Sequence, residues 1–275
     1  MLSNNEGSGR GSRLYQTAMA CALLSAMGFG VAAQTTPQSP NPASQPISTQ
    51  TPATSLQTGQ PASASQTPVQ QVASPPKPLI MIDPAHGGSE SGAVLNPVIL
   101  EKDITLALAR RLRSDLGAHG FVADLIRDSD VNLSTDDRAS RANSAHPALY
   151  VCLHATSEPA GVGVYTSMLG NTGQTDGPFV DWDTAQFPFL AASRLAQQDL
   201  AAAILKSGMP VRSLMVPLRP LQNVTSPAVA VEIAPTKADV SQLAAADYQN
   251  LISAALANGI AQMLSQAGAS PGAPQ

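Results

Sequence analysis

The chain has 275 residues, a formal charge of −4 and only 12% charged positions. That fraction is diluted by Gln34 to Pro76, which contain no Asp, Glu, Lys or Arg and nine of the 23 prolines. No basic surplus supports nucleic-acid binding, and Cys152 is the one cysteine outside the first 33 residues, so a disulfide scaffold is excluded.

In chain order, Arg10 and Arg13 precede an apolar run of small residues from Ala18 to Val31, and Val31-Ala32-Ala33 matches a cleavage site with the cut after Ala33. The run is short and broken by Gly28 and Gly30, so it reads as a cleaved export signal over 1–33 and not as a stable membrane span. The expected location is the periplasm or outside the cell. Residues 34–76, rich in Pro, Gln, Ser and Thr, bury too little apolar surface to offset the entropy of ordering and read as a disordered tether. Removing both stretches leaves about 199 residues, enough for one domain with a sizeable core.

From Lys77 onward, short apolar runs alternate with helical periodicity. Strands are expected at Pro78–Asp83, Phe121–Ile126, Ala148–Leu153, Gly161–Tyr165, Leu214–Val216 and Ala228–Ile233. Helices are expected from Ile104 to Leu116, from a capping-box start at Ser134 and Asp137 towards Asn143, from about Phe189 to Leu205, and from about Ala246 to Leu264. This alternation predicts an α/β fold: a single domain over 77–267, with a mostly parallel twisted sheet and helices on both faces. The last residues, 268–275, read as a frayed tail. In such sheets active sites gather beyond the carboxyl ends of the strands.

Four groups stand at that edge. His86 follows the first strand, Glu101 opens the first helix, His154 ends the third strand, and Glu232 lies within the last. Two imidazoles and a carboxylate with one position open to water make the ligand set of a hydrolytic zinc site, and a further carboxylate can act as general base. Spacing alone leaves alternatives open. Glu90, four residues after His86, rivals Glu101, which can equally be a helix N-terminal charge. His86 can be a turn residue and His154 a core histidine. Glu232, set in Ala-Val-Ala-Val-Glu-Ile, must lose hydration unless it is paired or coordinating. His119 and His146 read as solvated loop residues and Cys152 as an inert core thiol. Phe179, Trp182, Phe187 and Phe189 read as a hydrophobic pad for the long helix, with sugar contact as the alternative. Arg219 is a candidate to pair with a substrate carboxylate, or else a surface salt bridge.

The segments Ile82-Asp-Pro-Ala-His-Gly-Gly88, Glu101-Lys-Asp-Ile104, Arg127-Asp-Ser-Asp130, Arg138-Ala-Ser-Arg-Ala-Asn143, Leu153-His-Ala155 and Pro227-Ala-Val-Ala-Val-Glu-Ile233 occur in an order that resembles the zinc-dependent N-acetylmuramoyl-L-alanine amidases of the Amidase_3 family. The resemblance covers about Pro78 to Leu264. It implies a peptidoglycan hydrolase that cleaves the amide between N-acetylmuramic acid and L-alanine of the stem peptide in cell-wall remodelling, with one zinc ion. It implies His86, Glu101 and His154 as metal ligands, which favours Glu101 over Glu90, and Glu232 as the catalytic glutamate. The implied partner is peptidoglycan, reached through Arg219 on the first of its two readings. A protein activator is left open. The departures are Ala85 for a glycine expected to carry positive φ, Thr156 for asparagine, and Ile-Ala-Pro-Thr-Lys after Glu232. An inactive peptidoglycan-binding relative and a zinc peptidase acting on the stem peptide are the competing readings.

Overall fold

The computed structural model describes residues 77–169 and 181–269. The export signal, the tether and Phe179 lie outside the described residues. Twelve regular elements follow in order: β1 (Leu79–Pro84), β2 (Val94–Asn96), β3 (Ile99–Leu100), α1 (Glu101–Ala118), β4 (Val122–Leu125), α2 (Thr135–Ala145), β5 (Leu149–Ala155), β6 (Val162–Ser167), α3 (Leu190–Lys206), β7 (Val211–Val216), β8 (Ala228–Ile233) and α4 (Ala246–Ala269). Short 3-10 turns precede α3 at Trp182–Thr184 and Phe187–Phe189 and lie at Leu221–Asn223 and Val240–Ala244.

Six strands form one sheet in the order β4-β1-β5-β8-β6-β7. β4, β1, β5 and β8 are mutually parallel, β6 runs antiparallel to β8, and β7 is parallel to β6. The reversal follows from connection length. Only residues 156–161 join β5 to β6, too few for a parallel crossover, whereas α3 gives β6 to β7 the helix that such a crossover needs. The expected α/β architecture with a mostly parallel sheet is what is found.

Strand alternation divides the side chains between two faces. Ile80, Ile82, Leu149, Val151, Leu153, Val229, Val231 and Ile233 bury against α1, α3 and α4. Met81, Tyr150, Cys152, Tyr165, Ala228 and Ala230 face α2 and the turn at Leu221. One face therefore carries three helices and the other only one. The single-helix side leaves the carboxyl ends of β5 and β8 accessible, and His154 and Glu232 are on it.

Ser134 caps α2 as expected, accepting from the Asp137 N–H at 3.0 Å. Three expectations need correction. β7 begins at Val211 and not at Leu214, because Arg212 and Ser213 interrupt the apolar pattern of an edge strand. α4 continues to Ala269, past the expected start of the tail. Trp182 and Phe187 are 39% and 56% exposed, so of the expected pad only Phe189 among the described residues is half-buried. α3 itself packs into the core through Ala196, Leu200 and Ile204, and the turn before it is held by polar contacts: buried Gln186 donates to the carbonyls of Val224 and Ser226 at 2.7 and 2.8 Å, and accepts from Ser193 Oγ at 2.7 Å. The β2–β3 hairpin was not anticipated. Asn96 organises it by accepting from the N–H groups of Val98 and Ile99. Among the described residues no helix is long and apolar enough to cross a membrane.

Candidate metal centre

The site begins where β1 stops. After Ala85, whose N–H donates to Leu153 O at 3.1 Å, the backbone enters left-handed conformation at His86 (φ 63°), Gly87 (136°) and Gly88 (60°). The unusual φ thus falls on the histidine, and Ala85, in place of the expected glycine, needs no positive φ. A non-glycine residue in this region is strained by about 1–3 kcal/mol and persists only where its surroundings over-determine it.

Two arginines and a lysine provide that constraint. Arg127 donates to the carbonyls of Pro84, Ala85 and Lys102 at 2.9, 3.1 and 2.8 Å. Arg138 donates to Pro84 O at 3.0 Å and to His86 O at 2.7 Å. Its Nη1 also pairs with Asp83, whose other carboxylate oxygen accepts from the Tyr150 hydroxyl, and all three residues are buried. Lys102 Nζ binds Gly88 O and Asp130 at 2.8 and 2.7 Å, and Asp130 accepts the Gly88 N–H at 2.6 Å.

The loop delivers the His86 ring to Glu101. His86 Nε2 lies 3.2 Å from Glu101 Oε2, and His154 Nδ1 lies 2.9 Å from Oε1. The Ala93 and Ala155 N–H groups also donate to this carboxylate, at 2.8 and 3.1 Å. The two imidazoles meet edge to face at 78°, with ring centroids 5.5 Å apart. One donor atom from each of His86, Glu101 and His154 lies within 4.8 Å of the others. Donors around a tetrahedral metal ion with bonds near 2.1 Å sit about 3.4 Å apart, so small side-chain adjustments suffice to hold one. Gly92 completes the cradle: a Cβ there would lie 2.5 Å from His86 Cδ2 and 2.7 Å from Glu101 Oε2. This donor set fits a divalent cation.

The electrostatics agree. Burial opposes ionisation of Glu101, but hydrogen bonds and charge from His154 and His86 outweigh it and hold the carboxyl well below the usual carboxylate range. Burial likewise works against protonation of His86, yet hydrogen bonds to Glu101 and Glu90 raise it. For His154, burial is outweighed by hydrogen bonds to Cys152 and Glu101 and by the charge of Glu101.

Glu90 has a different place from Glu101. It meets His86 Nδ1 at 2.5 Å, on the nitrogen opposite the one facing Glu101. A carboxylate on the far ring nitrogen fixes tautomer and orientation in metal-binding histidines. His154 turns its other nitrogen to Cys152 Sγ at 3.5 Å, and burial raises that thiol, which stays protonated. His119 and His146 are exposed, as expected.

Glu232 pairs in register with His154 on the neighbouring strand, so both side chains rise from the same face. It is ion-paired with Arg212 at 2.6 Å. Sequence reasoning missed Arg212; the available signal was a lone arginine in an otherwise largely apolar strand. Arg219 contacts Asp183 and, at 4.0 Å, Asp136, so it already has acidic partners within the protein.

The family model described as Amidase_3, N-acetylmuramoyl-L-alanine amidase, matches residues 80–262. An endolysin of Bacillus phage SPP1 is 42% identical over 103 residues, 35% of this chain and 38% of its own length. The N-acetylmuramoyl-L-alanine amidase AmiC of Escherichia coli O6:H1 is 33% identical over 135 residues, 47% of this chain and 30% of its own. The chain thus spans well under half the length of these curated relatives. Among solved structures, N-acetylmuramoyl-L-alanine amidase AmiC2 of Nostoc punctiforme superposes with a TM-score of 0.56 at 25% identity, covering 69% of this chain and 98% of that one. The catalytic domain of the amidase CwlV from Bacillus (Paenibacillus) polymyxa shares the fold at a TM-score of 0.54 and 23% identity, over 68% of this chain and 98% of its own. Because the matched span runs from β1 into α4 and takes in every residue of the donor cluster, the chain belongs to the N-acetylmuramoyl-L-alanine amidase family.

Proposed function

We propose that this chain is an exported peptidoglycan hydrolase that cleaves the amide between N-acetylmuramic acid and L-alanine of the stem peptide. The convergence of His86, Glu101 and His154, with Glu232 in register beside His154, is the observation that carries this reading. The metal we assign to the three donors is zinc, which suits neutral imidazole and carboxylate. The chemistry such an ion supplies when bound is Lewis acidity and a water pKa lowered towards neutrality.

The protein's own residues divide the remaining work. Glu232 takes a proton from the attacking water as the carbon–oxygen bond forms, then returns it to the amide nitrogen as the carbon–nitrogen bond breaks. The products are the lactyl carboxylate of the sugar and a free amino terminus on L-alanine. Glu90 and the Arg127–Arg138 brace keep the His86 ring aimed at the site. Arg219 is half-exposed between two aspartates and can exchange one of them for a stem-peptide carboxylate. The leader over 1–33 places the activity in the periplasm or outside the cell, with 34–76 as spacer.

Mass spectrometry of muropeptides after digestion tests the reading. Zinc-loaded protein is expected to release stem peptides with free L-alanine amino termini, and Glu232→Ala to abolish release while zinc stays bound. Cleavage between two stem-peptide amino acids would make it a peptidase, and zinc binding without new amino termini would make it a scaffold.

A further inference from the structure

Four residues on four adjacent strands share one register row at the site: Arg212 on β7, Gly163 on β6, Glu232 on β8 and His154 on β5. Neighbouring strands lie about 4.8 Å apart, so Arg212 starts roughly 10 Å from the Glu232 backbone with β6 in between. Its side chain reaches across to Glu232, and position 163 puts no side chain of its own between them. The space above Gly163 is shared with Tyr165, two residues along the same face, whose hydroxyl and ring a Cβ at 163 would strike.

Every nitrogen of the guanidinium has an assignment. Nη2 donates to Glu232 Oε1 at 2.6 Å, Nε to the Tyr165 hydroxyl at 3.0 Å, and Nη1 to Ala160 O at 3.0 Å. The guanidinium carbon lies 5.9 Å from the centre of the Tyr165 ring. A pair of this kind, with both side chains more than a quarter exposed, adds little to stability on its own. Here it is fixed at three points and stands one strand from a candidate metal ligand. The ion pair engages Oε1, and a general base needs only one of its two oxygens.

We propose that Arg212 is the positioning residue for Glu232, fixing the carboxylate rotamer relative to the metal centre, with Gly163 and Tyr165 shaping the passage through which it reaches. The assignment rests on Glu232 being the general base. Misplacing a reacting group by about 1 Å can cost on the order of 100-fold in rate. Lysine can meet Glu232 but cannot hold Tyr165 and Ala160 in the same fork geometry.

Steady-state kinetics on soluble muropeptide, with zinc content and melting temperature measured for each variant, provide the test. Arg212→Met is expected to lower kcat by about 10- to 100-fold. KM should stay within about two-fold and zinc content should not change. Arg212→Lys recovers part of the loss. Gly163→Ala, with Arg212 intact, also lowers kcat. In a Glu232→Gln background, Arg212→Met adds no further loss. Native kcat in Arg212→Met alongside a strongly impaired but still measurable Glu232→Gln overturns the positioning role alone. Equal losses from Arg212→Met in both backgrounds overturn it as well. Native turnover in Glu232→Gln instead removes the base assignment on which the proposal rests.

Discussion

Arg138→Leu tests whether the buried network beneath the His86 loop is structural. Asp83 is fully buried and Arg138 is 4% exposed. The substitution leaves the Asp83 carboxylate inside the protein with the Tyr150 hydroxyl as its strong hydrogen-bond donor, and it frees the His86 carbonyl, whereas Pro84 O keeps Arg127. Breaking a buried ion pair by deleting one partner costs about 3–5 kcal/mol, because an uncompensated charge remains. The freed carbonyl adds about 1 kcal/mol unless water reaches it. We expect a loss of about 4–6 kcal/mol out of a typical domain stability of about 5–15 kcal/mol. At about 2–4 °C per kcal/mol for a domain of this size, the midpoint should fall by roughly 10–20 °C. Thermal and denaturant unfolding of chelator-treated protein, followed by circular dichroism, measures this without metal linkage. Asp83→Leu combined with Arg138→Leu removes the stranded charge and should recover at least about 2 kcal/mol. A double variant no more stable than Arg138→Leu would refute the reasoning, since the cost would then lie in the carbonyl contacts or in packing.

Two further predictions concern the donor cluster. Gly92→Ala places a Cβ against His86 and Glu101 at a φ of +66°, so zinc affinity measured by competition with a chromophoric chelator should fall at least about 100-fold. Melting of the metal-free protein should drop by only the roughly 1–2 kcal/mol that a left-handed alanine costs. Unchanged affinity would mean that the cluster does not bind through these atoms. The second prediction concerns pH. The histidine pKa values are raised in the folded metal-free protein, so the stability they contribute is complete below the unfolded histidine value of about 6.5. That contribution is lost as pH rises through the folded values. Zinc requires the same rings neutral, so the gap in melting temperature between zinc-loaded and chelated protein should widen from pH 6 to pH 8. A gap independent of pH would show that the imidazoles do not exchange protons for metal.

Much of this arrangement was legible in the sequence because it depends on strand ends. His86, His154 and Glu232 lie just beyond or within apolar runs whose length and spacing define β1, β5 and β8, and the strand bounds of β8 match the expected ones. The choice between Glu90 and Glu101 was not legible from spacing. The structure gives the two carboxylates different places, Glu101 at His86 Nε2 and Glu90 at Nδ1, beside a left-handed His86 backbone that no local sequence pattern announces. Phe187 and Trp182 misled for a related reason: apolar composition suggested a pad, whereas a buried glutamine holds that segment through backbone carbonyls.

Arg212 shows where local reading gives out. Within Val211–Val216 it reads as a polar interruption at an exposed edge, and its partner is 20 residues further along the chain on a strand that is not its neighbour. The link is a consequence of topology. The short connection after β5 forces β6 to run backwards, β8 inserts between β5 and β6, and the resulting register aligns Arg212, Gly163, Glu232 and His154. Had β6 paired directly with β5, Gly163 would have opened onto the candidate metal ligand His154, and Glu232 would not lie between it and the arginine. The antiparallel pair at the edge of an otherwise parallel sheet therefore has a chemical consequence: it brings a fixed cation to the carboxylate that stands in register beside His154.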